Sequence, residues 1–219
     1  MEIVPLLCQN KFMFGAIKSL FFKNKNAIAE NIWSQIGIPI NIAKRTGTYE
    51  DFNKEFFEDD YLVGYFNGYI NFMIKFFFKV NKTIDSGFII QKIMNFFDPI
   101  YSDVEEIKKN IEIIKKAVGK ENTKLGADHA FMTVATMLNV QEKNNLTNNK
   151  IYIEADKFYN DGSFLKRAEI QKKVLGSMVK NDKDPKKMPK NFAIAYRIFE
   201  LSFVKCLNKK FKVKDFNNI

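Results

Sequence analysis

The sequence predicts an all-α fold, and three observations carry that prediction. Apolar residues recur at three- or four-residue steps through most of the chain, which is helical spacing. The densest aromatic run, residues 49–82 (TYEDFNKEFFEDDYLVGYFNGYINFMIKFFFKVN), sorts onto one helical surface. Phe57, Tyr61, Tyr65, Tyr69, Met73 and Phe76 follow one another at helical steps, with Leu62, Phe66 and Ile70 beside them. Third, the strand-like stretches IGIPINI and IYI are proline-broken or too short. Asp60, Gly64, Asn67, Asn71, Lys75 and Lys79 form a narrow polar strip on the aromatic run. A largely buried Tyr61–Val80 helix is therefore predicted at the centre of a bundle of about eight or nine helices. A membrane span needs about 20 mostly apolar residues, and this run is too polar for one. Gly64 and Gly68 read instead as a place where a neighbouring helix approaches closely.

The other elements follow in order. Residues 11–23 form an amphipathic helix. Residues 27–36 form a second, stopped by Gly37, with Pro39 opening the next turn. Residues 29–47 have the outline of a helix-turn-helix, but Trp33 stands where that motif needs a small residue. The stretch reads as a plain helical hairpin. Thr48 and Asp51 cap the central element, and Asp85 or Ser86 caps a helix closed by Asp98 and Pro99. Ser102 with Glu105 makes a capping box for a charged surface helix that ends at Gly119. Residues 125–139 are small and apolar, a buried helix. The Asn-rich stretch 141–150 is a candidate hinge between a helical core domain (1–140) and a basic helical subdomain (151–219), unless the two form one continuous domain. A short helix near 151–160 and a turn at Asp161–Gly162 lead into a helix from Ser163 to about Lys180. After a two-proline loop, residues 191–207 form a nearly all-apolar helix, with Phe192, Tyr196, Phe199 and Phe203 as its core stripe. The tail from Asn208 is basic and frayed.

Composition bounds the function. Hydrophobic residues make up 46% of the 219 residues and aromatics 15%, including 23 Phe, so the chain can fill a core. Cys8 and Cys206 lack metal-ligand spacing, and the N-terminal segment lacks a basic lead, which together suggest a reducing, cytoplasmic setting. The net charge is +10, and it is unevenly placed. Residues 1–163 carry 20 basic and 20 acidic side chains, whereas 164–219 carry 15 basic and five acidic. Compositional drift toward Lys, Asn and Ile would act evenly along the chain and does not produce that asymmetry.

Candidate chemistry thins out on inspection. His129 is the only histidine, so sites built on paired histidines are excluded, and it reads as a core or helix-surface residue. Glu50, Asp51, Glu55, Glu58, Asp59 and Asp60 cluster, with Glu55 and Asp59 four apart on one helix face, but two-metal chemistry needs further carboxylates. Aligning Asn160–Asp161–Gly162 with a calcium-binding loop puts Lys157, Tyr159 and Ala168 at ligand positions, which rules it out. No acid–base pair, activated nucleophile or cofactor loop stands out, so no catalytic residue, metal or cofactor is assigned. What remains is the basic C-terminal surface: Lys166, Arg167, Lys172, Lys173, Lys186, Lys187, Lys209 and Lys210. Concentrated lysines attract polyanions, and the excess of Lys over Arg favours contact with a nucleic-acid backbone over base reading. The expected function is sequence-tolerant polyanion binding, nucleic acid first. The alternative is a helical adaptor or assembly subunit with a protein partner or a second copy of itself.

Overall fold

Asn24 opens the first helix, its side-chain Oδ1 accepting hydrogen bonds from the Asn26 and Ala27 amides. Helix α1 then runs unbroken over Lys25–Thr46. This corrects the expected stop at Gly37 and the hairpin built on it. Ile28, Ile32, Ile36, Ile40 and Ala43 are all buried and hold one face across Gly37 and Pro39. Packing of that face outweighs the ~3 kcal/mol that an interior proline costs. Gly37 has a local role in this helix. The Trp33 indole lies across it, and a Cβ there would stand 2.4 Å from Trp33 Cε2. The computed structural model describes residues 24–140, 146–167, 169 and 188–213. The expected 11–23 helix lies outside them, as do residues 141–145 of the 141–150 stretch and most of the 163–180 helix.

The aromatic run is two helices. Asp51 caps α2 (Phe52–Glu58), accepting from the Lys54 amide at 3.1 Å. Asp59 caps α3 (Asp60–Phe72), accepting from the Leu62 amide at 3.0 Å. Two caps within nine residues break the acidic lead-in away from the central helix, so the cap predicted at Thr48 and Asp51 belongs to α2 alone. The chain then passes into a π-helical turn, Met73–Phe77, closed by the Phe78 amide on the Met73 carbonyl at 2.9 Å. It ends at Phe77, three residues short of the predicted Val80, with Lys79 at a φ of 55° beyond it.

Helix α4 (Thr83–Phe97) starts two residues before its predicted caps. Helix α5 (Val104–Ala117) is capped by Asp103, whose Oδ1 accepts from the Glu105 amide at 2.8 Å. Ser102, the predicted cap, belongs to a 3-10 turn at Pro99–Ser102. Helices α6 (Glu121–Met137) and α7 (Lys150–Asn160) follow, then a helical turn at 163–167. Helix α8 (Lys190–Phe199), a π-helical turn (Glu200–Val204) and α9 (Lys205–Lys210) form one rod. Among the described residues every regular element is helical, and no helix is long and apolar enough to cross a membrane.

The centre of the bundle is the crossing of α3 and α6. A Cβ on Gly64 would stand 2.1 Å from the Thr123 carbonyl oxygen, and one on Gly126 would stand 2.3 Å from the Tyr61 carbonyl oxygen. The two backbones therefore touch, and Gly64 is buried at the crossing instead of joining a solvent-facing polar strip. Asn67 and Asn71 sit on that strip and turn their amides back to the Val63 and Asn67 carbonyls of their own helix.

The main core joins α1, α2, α3 and α4 to the C-terminal rod. Phe52, Phe56, Phe57, Phe66 and Phe97 form one aromatic nest, and Tyr65 stacks on Phe203 at 4.9 Å. A smaller cluster of Met132, Tyr152, Ala155, Ile194 and Ile198 packs α7 against α6 and α8. Along the rod, Ala195, Phe199, Phe203, Leu207 and Phe211 face the core at four-residue steps. A regular α-helix would carry such a series about 40° further round at each step. The wider π turn takes up part of that drift. The tail is thus ordered beyond the predicted fraying point. Phe211 is fully buried against Phe52 at 4.3 Å, and its carbonyl accepts from the Thr48 amide at 2.8 Å.

Candidate polyanion-binding surface

Helix α9 has two unlike sides. Leu207 and Phe211 anchor it in the core. Lys205, Lys209 and Lys210 project from the other side, all exposed, with exposed Lys212 just beyond. Among the described residues none of the four has an ion-pair partner. The lysines of α5 differ. Lys108, Lys109 and Lys115 each meet a glutamate three residues earlier, at 2.7, 2.5 and 2.7 Å. The Thr48–Phe211 hydrogen bond brings the end of α1, with exposed Arg45, up to the end of α9. Two helix C-termini meet at this corner, and cations complement both dipoles. Sequence reasoning missed Lys205 and Arg45. The four-residue step from Lys205 to Lys209 signals the first, whereas only the fold brings in Arg45.

The other predicted residues divide. Lys166 is exposed on the 163–167 turn. Arg167 turns inward, its Nη1 donating to Glu200 Oε2 at 2.8 Å, the same oxygen that Arg197 Nη1 meets at 3.0 Å. The Glu200 side chain is only 11% exposed and begins the π turn of the rod. Arg197 extends over the Phe158 ring at 4.5 Å. Arg167 therefore fastens its segment to the rod by a partly buried, charge-assisted bond. Lys172, Lys173, Lys186 and Lys187 lie outside the described residues.

The acidic cluster borders the same corner, because α2 packs through Phe52 on Phe211. Its carboxylates have local tasks. Asp51 and Asp59 cap helices, and Glu55 accepts from the Glu50 amide at 3.2 Å. The break between α2 and α3 takes Glu55 and Asp59 off a shared helix face, which corrects the predicted pairing. Among the described residues no group of three or more His, Cys, Asp or Glu side chains is placed to hold a metal ion.

A polar ladder climbs α3. The Tyr61 hydroxyl meets His129 Nδ1 at 2.9 Å, Tyr65 meets Thr133 Oγ1 at 2.8 Å, and Tyr69 donates to Gln35 Oε1 at 2.7 Å. Burial pushes all three phenols above their ordinary range, so they remain protonated. Burial also holds His129 below the usual imidazole value, against the raising effect of Asp128. The ladder ties α3 to α1 and α6. The Cys206 thiol is pushed up to about 11 by burial, which leaves it a poor nucleophile. An open groove of about 510 Å³ beside α7 is lined by Thr147, Tyr152, Ile153, Asp156, Lys157 and Asn160. Asp156 there is already paired with Lys190 at 3.0 Å.

Compared with known proteins, the chain matches no family model, no curated protein and no solved structure.

Proposed function

We propose that the protein binds a polyanion, with a nucleic-acid backbone as the favoured class, through the basic face at its C-terminal end. The supporting observation is the lysine side of α9, which has no ion-pair partner among the described residues and is held outward by the burial of Leu207 and Phe211. A fixed array of uncompensated cations displaces counterions from a phosphate backbone without reading bases. Lys205, Lys209, Lys210 and Lys166 make the contacts in this reading, joined by Lys172, Lys173, Lys186 and Lys187. Arg167 holds the segment in place.

The test is a salt titration of affinity for a generic duplex and a generic single strand. It compares the full chain with a variant carrying Lys205→Gln, Lys209→Gln and Lys210→Gln. Loss of up to three phosphate contacts flattens the log affinity against log salt slope by about 2 to 3 on duplex DNA. Absence of binding at low salt, or an unchanged slope, overturns the reading.

The second reading, an adaptor or assembly subunit, draws on the outer side of α4. Ile84 is 85% exposed there, and Phe88 and Phe96 are also exposed. Self-association that is insensitive to salt and lost in Ile84→Ser/Phe88→Ser would favour it.

A further inference from the structure

We propose that α5 is an independently opening panel of the fold: it detaches and recloses as a unit while α1, α3, α4 and α6 stay packed. The central observation is Asn110. It lies in the inward seam of α5, is 3% exposed, and among the described residues neither its Nδ2 nor its Oδ1 has a hydrogen-bond partner. A buried amide with both polar atoms unsatisfied favours any state in which water reaches it.

The rest of the helix offers little to resist that pull. Its inward residues beside Asn110 are Ile107 and Ile114, both only partly buried, and the small Ala117. No α5 ring takes part in the aromatic nest, because the helix has no aromatic residue. Its three ion pairs, Lys108–Glu105, Lys109–Glu106 and Lys115–Glu112, are all internal, so the helix keeps them when it leaves. Among the described residues no side-chain hydrogen bond or ion pair joins α5 to another helix. Neighbouring elements differ in this respect. The residue after the α5–α6 turn, Lys120, reaches Asp60 at 2.9 Å, and α4 is tied through Asp98 to Lys44 at 3.2 Å.

Both ends of α5 suit a hinge. The Asp103 cap closes its N-terminus from within the linker, so the cap travels with the helix. At the other end Gly119 has φ at 93° with open space where a Cβ would be. A glycine turn there absorbs rotation without steric cost. Opening of α5 uncovers the sides of α2 and α3 that it packs on, including the neighbourhood of Phe57 and Tyr101, whose rings meet at 5.9 Å. Local opening of a helix with few apolar contacts is the ordinary low-energy excursion of a folded domain.

Hydrogen exchange read by mass spectrometry on the full chain tests the proposal, with Asn110→Leu and Ile107→Ala beside the parent. In the parent, the amides of Val104–Ala117 exchange together, at least about tenfold faster than those of α3 and α6. Asn110→Leu removes the unsatisfied amide and slows α5 exchange by about tenfold or more, leaving α3 and α6 unchanged. Ile107→Ala accelerates α5 alone. Three results would overturn the proposal: α5 exchanging at the rate of α3 and α6 in the parent, an unchanged α5 rate in Asn110→Leu, or acceleration of all helices together in Ile107→Ala.

Discussion

Replacing Gly64 with alanine places a methyl group 2.1 Å from the Thr123 carbonyl oxygen and 2.8 Å from the Thr123 Cα and carbonyl carbon. Those are backbone atoms of α6, so no side chain can swing aside, and the helices must separate by more than 1 Å to restore van der Waals contact. Overpacking of this kind costs about 1–3 kcal/mol. Separation also stretches the Tyr61–His129 and Tyr65–Thr133 hydrogen bonds that span the same crossing, each contributing about 0.5–1.5 kcal/mol. Against this, alanine gains about 1 kcal/mol of helix propensity. The net expectation is a loss of about 1–5 kcal/mol, read in urea as a lower midpoint at constant slope. Gly87→Ala is the matched control. It lies in α4 with nothing within 4 Å of the added Cβ, so propensity alone applies and the midpoint rises. A Gly64→Ala protein as stable as Gly87→Ala would refute the argument that α3 and α6 touch through their backbones.

Three further outcomes follow from the buried polar groups. Burial holds His129 below its ordinary value near 6.5, so the unfolded chain takes up the proton first. Its contribution to stability is full above that value and is lost as pH falls through it toward the folded value. A His129→Gln variant should show a shallower loss of thermal midpoint over that window, and parallel curves would refute the role. Tyr69→Phe should lower stability by about 1–3 kcal/mol by orphaning the Gln35 amide, and adding Gln35→Leu should restore part of that in chemical denaturation. In a Cys8→Ser background, the Cys206 thiol, raised from 9.0 to about 11, should react with a disulfide reagent about 100-fold more slowly than in the urea-unfolded chain. Equal rates would mean that the thiol is not desolvated.

Helical periodicity made the fold class and most helix positions legible, because burial imposes it on Tyr65, Tyr69, Phe199 and Phe203 whatever their partners are. It failed where tertiary contact overrode local signals. Gly37 and Pro39 look like a helix stop until the isoleucine face of α1 and the Trp33 ring are taken into account. Gly64 falls on a polar strip by spacing, and its four-residue step to Gly68 marks a close helix approach, but only the fold supplies the partner, Gly126 of α6. Phe211 follows two lysines in a basic tail, and no local pattern reveals that Phe52 stacks on it. At the candidate surface, charge counting found Lys166, Lys209 and Lys210. It could not separate Arg167, which turns to Glu200, from the lysines that face solvent. A partner for a charge is a property of folded geometry.

The π turn at Glu200–Val204 has the register of a one-residue insertion in an otherwise regular helix. Loss of a single codon within Glu200–Val204 would regularise the turn and place Leu207 and Phe211 seven and eleven residues after Phe199, within about 20° of its face. Both would keep their seats in the core, and Lys209 would still point away from it. Homologues can therefore differ by one residue between Phe199 and Leu207 and still present the same lysines outward.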